Sequence, residues 1–264
     1  MVDKKKEETT AVQAAPPAGA LERPSFIEQS TAGTADIGIN DVKLPMLKIA
    51  QGLSKQIIPS ESVYIKDLKL FDLFDDLQGT IYGVGPLTFV VVRRDVKRIE
   101  FDPENRNIPI DLKVPANDPR MDWGKDPVTG KGIPPRAVKF VEFVILLVLP
   151  DGSTKPIVMS IQETNKFQKK AHERLSGFIK MRQPPAPIYA GLYTVEVKSE
   201  KTDKGTFGVF VVNNSGYIQD AALYATAKKE FESFKDKVID VERAIDPDAW
   251  EEGGGDKSGD TSGM

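Results

Sequence analysis

Alternation of apolar and polar positions dominates the middle of the chain. Leu87 to Arg94 is β-branched and aromatic, and the pattern resumes from Val96 to Phe101, so both stretches predict strand. Ala137 to Leu149 predicts a long strand, Pro150 to Ser153 a turn, and Pro156 to Ile161 a strand folded back as a hairpin. From Thr164 to Arg182 the period changes. Phe167, Ala171, Leu175, Phe178 and Ile179 recur at helical spacing, while Lys166, Lys169, Lys170, Arg174 and Lys180 fall mainly on the other side. Pro184 and Pro185 end that helix. Tyr193, Val195 and Val197 then alternate with Thr194, Glu196 and Lys198; Asp203-Lys204-Gly205 turns the chain, and Thr206 to Val212 returns. A last helix is predicted over 219–238, with Ala222, Ala225, Ala227, Phe231 and Phe234 available to dock.

Upstream the pattern weakens. Leu44 to Gln51 has apolar spacing after a Pro-bounded start. Val63 to Leu77 fits a short helix or a strand equally well, and Asp75-Asp76 within it reads as a polar turn. Asp102 to Arg136 is a Pro- and Asp-rich loop with one large aromatic, Trp123; loops of that length are commonly functional or mobile. Three strands, a helix and two strands is the chain order of an OB-like barrel. The expected architecture is therefore a β-rich α+β fold with an OB-like barrel, a C-terminal helix and disordered ends. The boundaries read as a disordered arm over 1–35, one domain over 36–240, and an acidic, Gly-rich disordered tail over 241–264.

Composition narrows the function classes. With no cysteine, disulfides, zinc-thiolate sites and thiol nucleophiles are excluded. No signal-type apolar segment opens the chain, and the longest apolar run, Phe143 to Leu149, is too short to span a membrane; a cytoplasmic protein without membrane partners is expected. The net charge of −3 is unevenly spread: 93–204 carries 21 Lys/Arg against 15 Asp/Glu, and 230–264 carries 4 against 11. A basic body with an acidic tail suits a polyanion partner, although solvated faces give the same asymmetry.

Single-strand binding requires cations along the phosphates and aromatic faces for the bases. The candidate cations are Arg93, Arg94, Lys97, Arg98, Lys139 and Lys198, and the candidate stacking groups are Phe101, Trp123, Phe140, Tyr193 and Phe207. On alternating strands Phe140, Tyr193 and Phe207 also fit plain core positions. Other chemistry finds little support. Gly124 to Gly132 superficially resembles a phosphate loop, but the spacing is one residue too long and Gly132 stands where Ser or Thr must reach magnesium. Glu196 with Lys198 is half of a nuclease signature, but its partner acid would have to be Asp151, which its own turn explains. His172, the only histidine, reads as a surface residue on the lysine-rich side of its helix. No catalytic residue, metal or cofactor is expected.

The motif Leu44-Pro45, Leu47-Lys48-Ile49 and Gln51, followed by β-hairpins and the Asp118 to Trp123 loop, resembles a group of bacteriophage-encoded single-stranded DNA-binding proteins. That resemblance implies an OB-like domain acting in DNA replication or recombination in the host cytoplasm, beside polymerase, helicase or recombinase. Such proteins usually end in a dense acidic run with a terminal aromatic. Here glycine dilutes the acids and the tail aromatic is Trp250, which puts tail-mediated recruitment of replication or recombination proteins in question. Whether the chain forms a homo-oligomer is left open. The alternatives are a phage structural or assembly protein and, behind it, a metal-dependent nuclease.

Overall fold

The β-branched runs form the antiparallel strands that the alternation predicts, within a computed structural model that describes residues 43–104, 108–163, 166–202 and 205–237. In chain order these are β1 (Leu47–Ile49), β2 (Leu73–Asp75), β3 (Ile81–Gly83), β4 (Leu87–Phe101), β5 (Pro109–Asp111), β6 (Gly124–Lys125), β7 (Gly132–Ile133), β8 (Ala137–Val148) and β9 (Thr154–Gln162). Helix α1 (Lys166–Lys180) follows, then β10 (Gly191–Thr202), β11 (Gly205–Tyr217) and helix α2 (Ala221–Phe234). The predicted arm and acidic tail lie outside the described residues, as does the end of the predicted last helix beyond 237.

The main sheet runs β11-β10-β4-β8-β9, with β5 added to the far end of β4. β1, β2 and β3 form a small antiparallel meander, and β6 pairs with β7. The described residues thus form a β-rich fold of antiparallel sheets and two α-helices. Among the described residues the sheet does not close into the expected barrel: β9 and β11 end it on opposite sides with no ladder between them. Instead α1 packs against both, and the segment leading into β1 lies along β9, where the Val158 amide donates to the Pro45 carbonyl at 2.9 Å.

Both faces of the sheet are covered. On one side Phe89, Val91, Phe143, Ile145, Tyr193 and Val195 pack with Ala171 and Leu175 of α1 and with Leu47 and Leu73 of the meander. On the other, Val90, Val92, Val144 and Leu146 pack with Ala227 and Phe234 of α2. Leu175 is fully buried, and burial of one such side chain contributes roughly 1.5–3 kcal/mol, which fixes α1 to the sheet. The Asp220 carboxylate caps α2 by accepting the Ala222 amide at 2.8 Å.

One local expectation is corrected and two open readings are filled in. In the ambiguous stretch 63–77, only Leu73–Asp75 is strand, and the rest is turns. Asp75 belongs to that strand instead of a polar turn, and it is buried. Burial pushes its carboxyl up, but Lys155 at 2.8 Å and the Gln78 amide outweigh that and hold it below the usual range. The described residues of the loop 102–136 have internal order. The Arg120 guanidinium gathers Glu100 at 2.6 Å, Asp118 at 2.8 Å and Asp111 at 2.9 Å, and its bonds to Asp118, with that of the Arg120 backbone amide, lower the Asp118 carboxyl to a pKa of about 2.

Candidate nucleic-acid interface

A bulge in β4 decides where its cations point. Val91 stands opposite Ile145 and Arg93 opposite Val144, leaving Val92 as the extra residue. Arg93 therefore joins Val92 on the α2 side of the sheet, and Arg94, opposite Phe143, faces α1. The Arg93 guanidinium donates to the carbonyls of Phe234 and Lys237 and pairs with Asp95 at 2.9 Å. It thus closes the carboxyl end of α2, where a cation is favoured. Arg94 is exposed and donates to the Ser176 hydroxyl of α1 at 3.3 Å. Arg98, opposite Lys139, shares the face of Arg94, and Lys97 lies on the other face opposite Phe140. Lys97 and Arg98 have no ion-pair partner among the described residues, whereas Lys139 is held by Glu163 at 2.8 Å.

The aromatic candidates divide in the same way. Phe101 and Phe140 are buried and meet edge to face at 6.2 Å, in a cluster with Ile99 and Val138. Tyr193 is fully buried in the main core. Trp123 is half exposed and lies over the backbone of Gly132 in the β6–β7 hairpin. Phe207 is part-buried near the outer edge of β11, and Lys198 is exposed with Glu200 at 3.5 Å. The structure therefore does not gather the eleven candidates into one surface. Arg94 and Arg98 share a face; Trp123 and Lys198 lie on other elements.

Sequence reasoning missed a groove between α1 and the outer edge of β11. Two cavities there, of about 440 Å³ and 220 Å³, share Arg174. Lys170, Arg174, Lys198 and Glu200 line the smaller one, and Glu173, Arg174, Phe178, Arg182, Asn214 and Tyr217 line much of the larger. Lys170 and Arg174 make no ion pair with any described residue, while Lys169 is held by Glu173 at 3.5 Å. The Arg182 guanidinium lies over the rings of Tyr193 and Tyr217, 5.8 Å and 5.5 Å from their centroids, and donates to the Pro187 carbonyl at 3.0 Å. Helical spacing put Lys170 and Arg174 on the polar side of α1, but nothing local in the sequence revealed that β11 runs beside them.

The weaker motifs resolve into structural roles. Gly124 to Gly132 is the β6–β7 hairpin, whose turn is fixed by Asp126 accepting the amides of Val128 and Thr129. Asp151 accepts from Ser153 within its own turn. Among the described residues no group of three or more His, Asp or Glu is arranged to hold a metal, and no helix is long and apolar enough to cross a membrane. His172 departs from expectation: it is buried, with both ring nitrogens lacking hydrogen bonds among the described residues and the Glu163 carboxylate 3.7 Å away.

The model of the Pam3 phage gp34-like protein family matches residues 16–240. The chain belongs to that family. It is thus a member of a phage family, and the matched span takes in every strand and helix described above. No curated protein and no solved structure matches the chain.

Proposed function

We propose that this phage protein is a non-catalytic single-stranded DNA-binding protein acting in DNA replication or recombination. The reading rests on the groove between α1 and β11. There Lys170, Arg174 and Lys198 lie beside aromatic and amide side chains, and Lys170 and Arg174 have no carboxylate partner among the described residues. Cations along a groove with π-faces beside them are what sequence-tolerant single-strand binding requires. The strand order supports it: β4, β8, β9, α1, β10 and β11 follow the chain order of an OB-like barrel, and β4 lies between β10 and β8 as the first strand of that barrel does. Arg94 and Arg98 extend positive charge to the other flank of α1.

The test is fluorescence anisotropy of labelled oligothymidine at several salt concentrations, with duplex DNA as competitor. If about three cations each engage a phosphate, log affinity falls against log salt with a slope near −2, at about −0.7 per contact. Replacing Lys170 and Arg174 by Glu weakens binding and flattens that slope. No binding at low salt, or full displacement by duplex, rejects the reading.

One observation favours an assembly role instead. Ile108, Ile110 and Leu112 fall at alternate positions in and beside β5, an edge strand, and each is about half exposed. On that reading the partner is a protein, and its binding resists salt.

A further inference from the structure

We infer that the larger cavity, between the carboxyl half of α1 and the end of β11, is a seat for one unstacked nucleobase. This rests on the single-strand reading and adds to it a site away from the strand residues that the sequence pointed to. At about 440 Å³ the cavity falls within the range of small-molecule sites, roughly 300–1,000 Å³.

Its walls offer what a base needs: flat, apolar and amide groups, with the carboxylate of Glu173 beside the guanidiniums of Arg174 and Arg182. Tyr217 supplies a ring that cannot swing freely, because its hydroxyl donates to the Pro184 carbonyl at 2.6 Å. Arg182 lies over that ring and is itself anchored on Tyr193 and the Pro187 carbonyl, so a flat guanidinium and a flat ring are both held in place. Phe178 and the highly exposed Met181 supply apolar and polarisable contacts. Asn214 and Gln183 line the same space and carry amide groups able to bond a base edge. The Asn214 Oδ1 already accepts the Gly216 amide at 3.1 Å, so its NH₂ is the group that would donate to a base edge.

Arg174 lines both this cavity and the smaller one, where Lys170, Lys198 and the carboxylate of Glu200 also stand. A strand laid along β11 therefore places one base against Tyr217 and its neighbouring phosphates on Arg174, Lys170 and Lys198. Tyr217 lines only the larger cavity and Lys170 and Lys198 only the smaller, so substitutions at the two ends have different signatures.

The experiment uses the full chain and oligothymidine carrying one 2-aminopurine, read by its fluorescence and by total affinity across salt. With the native protein, binding is expected to change the probe fluorescence. Tyr217→Leu abolishes that change and weakens binding by about tenfold or more with the salt slope retained, since stacking on an aromatic is commonly worth that much or more. Tyr217→Phe keeps the ring and retains the fluorescence change. Met181→Glu alters an exposed rim residue that the fold does not need, and it must also weaken binding. If oligothymidine binds tightly but none of these variants differs from native, the base seat is wrong and the single-strand reading stands. If oligothymidine does not bind at low salt, both fall.

Discussion

The side-chain amide of Gln51 pairs with the backbone of Gly208 in both directions. Its Nε2 donates to the Gly208 carbonyl at 2.8 Å, and its Oε1 accepts the Gly208 amide at 2.9 Å. Gly208 turns both groups away from β10, so Gln51 acts as a neighbouring strand at the outer edge of β11. Six residues earlier, the Pro45 carbonyl accepts from Val158 on β9. The segment 45–51 thus reaches both edges of the main sheet, where a closed barrel would pair β9 with β11 directly. Gln51→Ala removes both bonds and is expected to cost about 1–3 kcal/mol. Gln51→Glu is expected to destabilise comparably, because a carboxylate cannot donate to the Gly208 carbonyl. Urea unfolding midpoints measure both; an unchanged midpoint would show that water replaces the clasp without loss.

Gly208 is required by close approach. A Cβ there would lie 2.7 Å from Ile49 Cγ2, 3.0 Å from Val197 Cγ1 and 3.1 Å from Phe71 Cδ1. Gly208→Ala therefore forces β1 away from β11 and is expected to cost about 1–3 kcal/mol. Gly177 in α1 is the control, since a Cβ there meets nothing within 4 Å. Gly177→Ala is expected to stabilise by about 0.5–1 kcal/mol through helix propensity. Equal melting temperatures for the two variants would contradict this account.

Elements of long, strong period were legible in the sequence: the β8–β9 hairpin, α1 and the β10–β11 hairpin all lie close to where alternation and helical spacing put them. Placement in space was not. The spacing of Leu44 to Gln51 gives no sign that Gln51 reaches a residue 157 positions away. The bulge that turns Arg93 from one face to the other leaves no mark in a β-branched run. Phe101, Phe140 and Tyr193 satisfied the stacking pattern because a core strand and a binding strand use the same residue types. Arg174 and Tyr217 were obscure because each belongs to an ordinary element until α1 and β11 are brought side by side.

Arg93 illustrates that ambiguity and can be separated from the binding cations. Its guanidinium bonds the last carbonyls of α2. Arg93→Ala is expected to lower stability by about 1–2 kcal/mol, the scale of a partly buried cation at a helix carboxyl end. The salt slope of oligonucleotide binding should stay as in the native protein. Arg94→Ala combined with Arg98→Ala should do the reverse, with little loss of stability and a flatter slope. A flatter slope for Arg93→Ala would return that residue to the binding surface.

His172 gives the fold a pH dependence of known sign. Burial lowers its pKa from the ordinary value of 6.5, with Arg94 and Lys139 acting in the same direction, while Glu163 and Glu173 oppose them without reversing the shift. The unfolded chain therefore binds a proton on this residue at a pH where the folded chain does not. Its contribution to stability is complete above about pH 6.5 and is lost as pH falls toward the depressed folded value. The associated slope is at most about 1.4 kcal/mol per pH unit. His172→Leu fills a similar volume, removes two buried nitrogens without hydrogen bonds, and should abolish this slope. Urea unfolding at pH 7.5 and 5.5 separates the cases. The native protein should lose more stability than His172→Leu between the two, and parallel losses would mean that Glu163 moves in to pair with the charged ring.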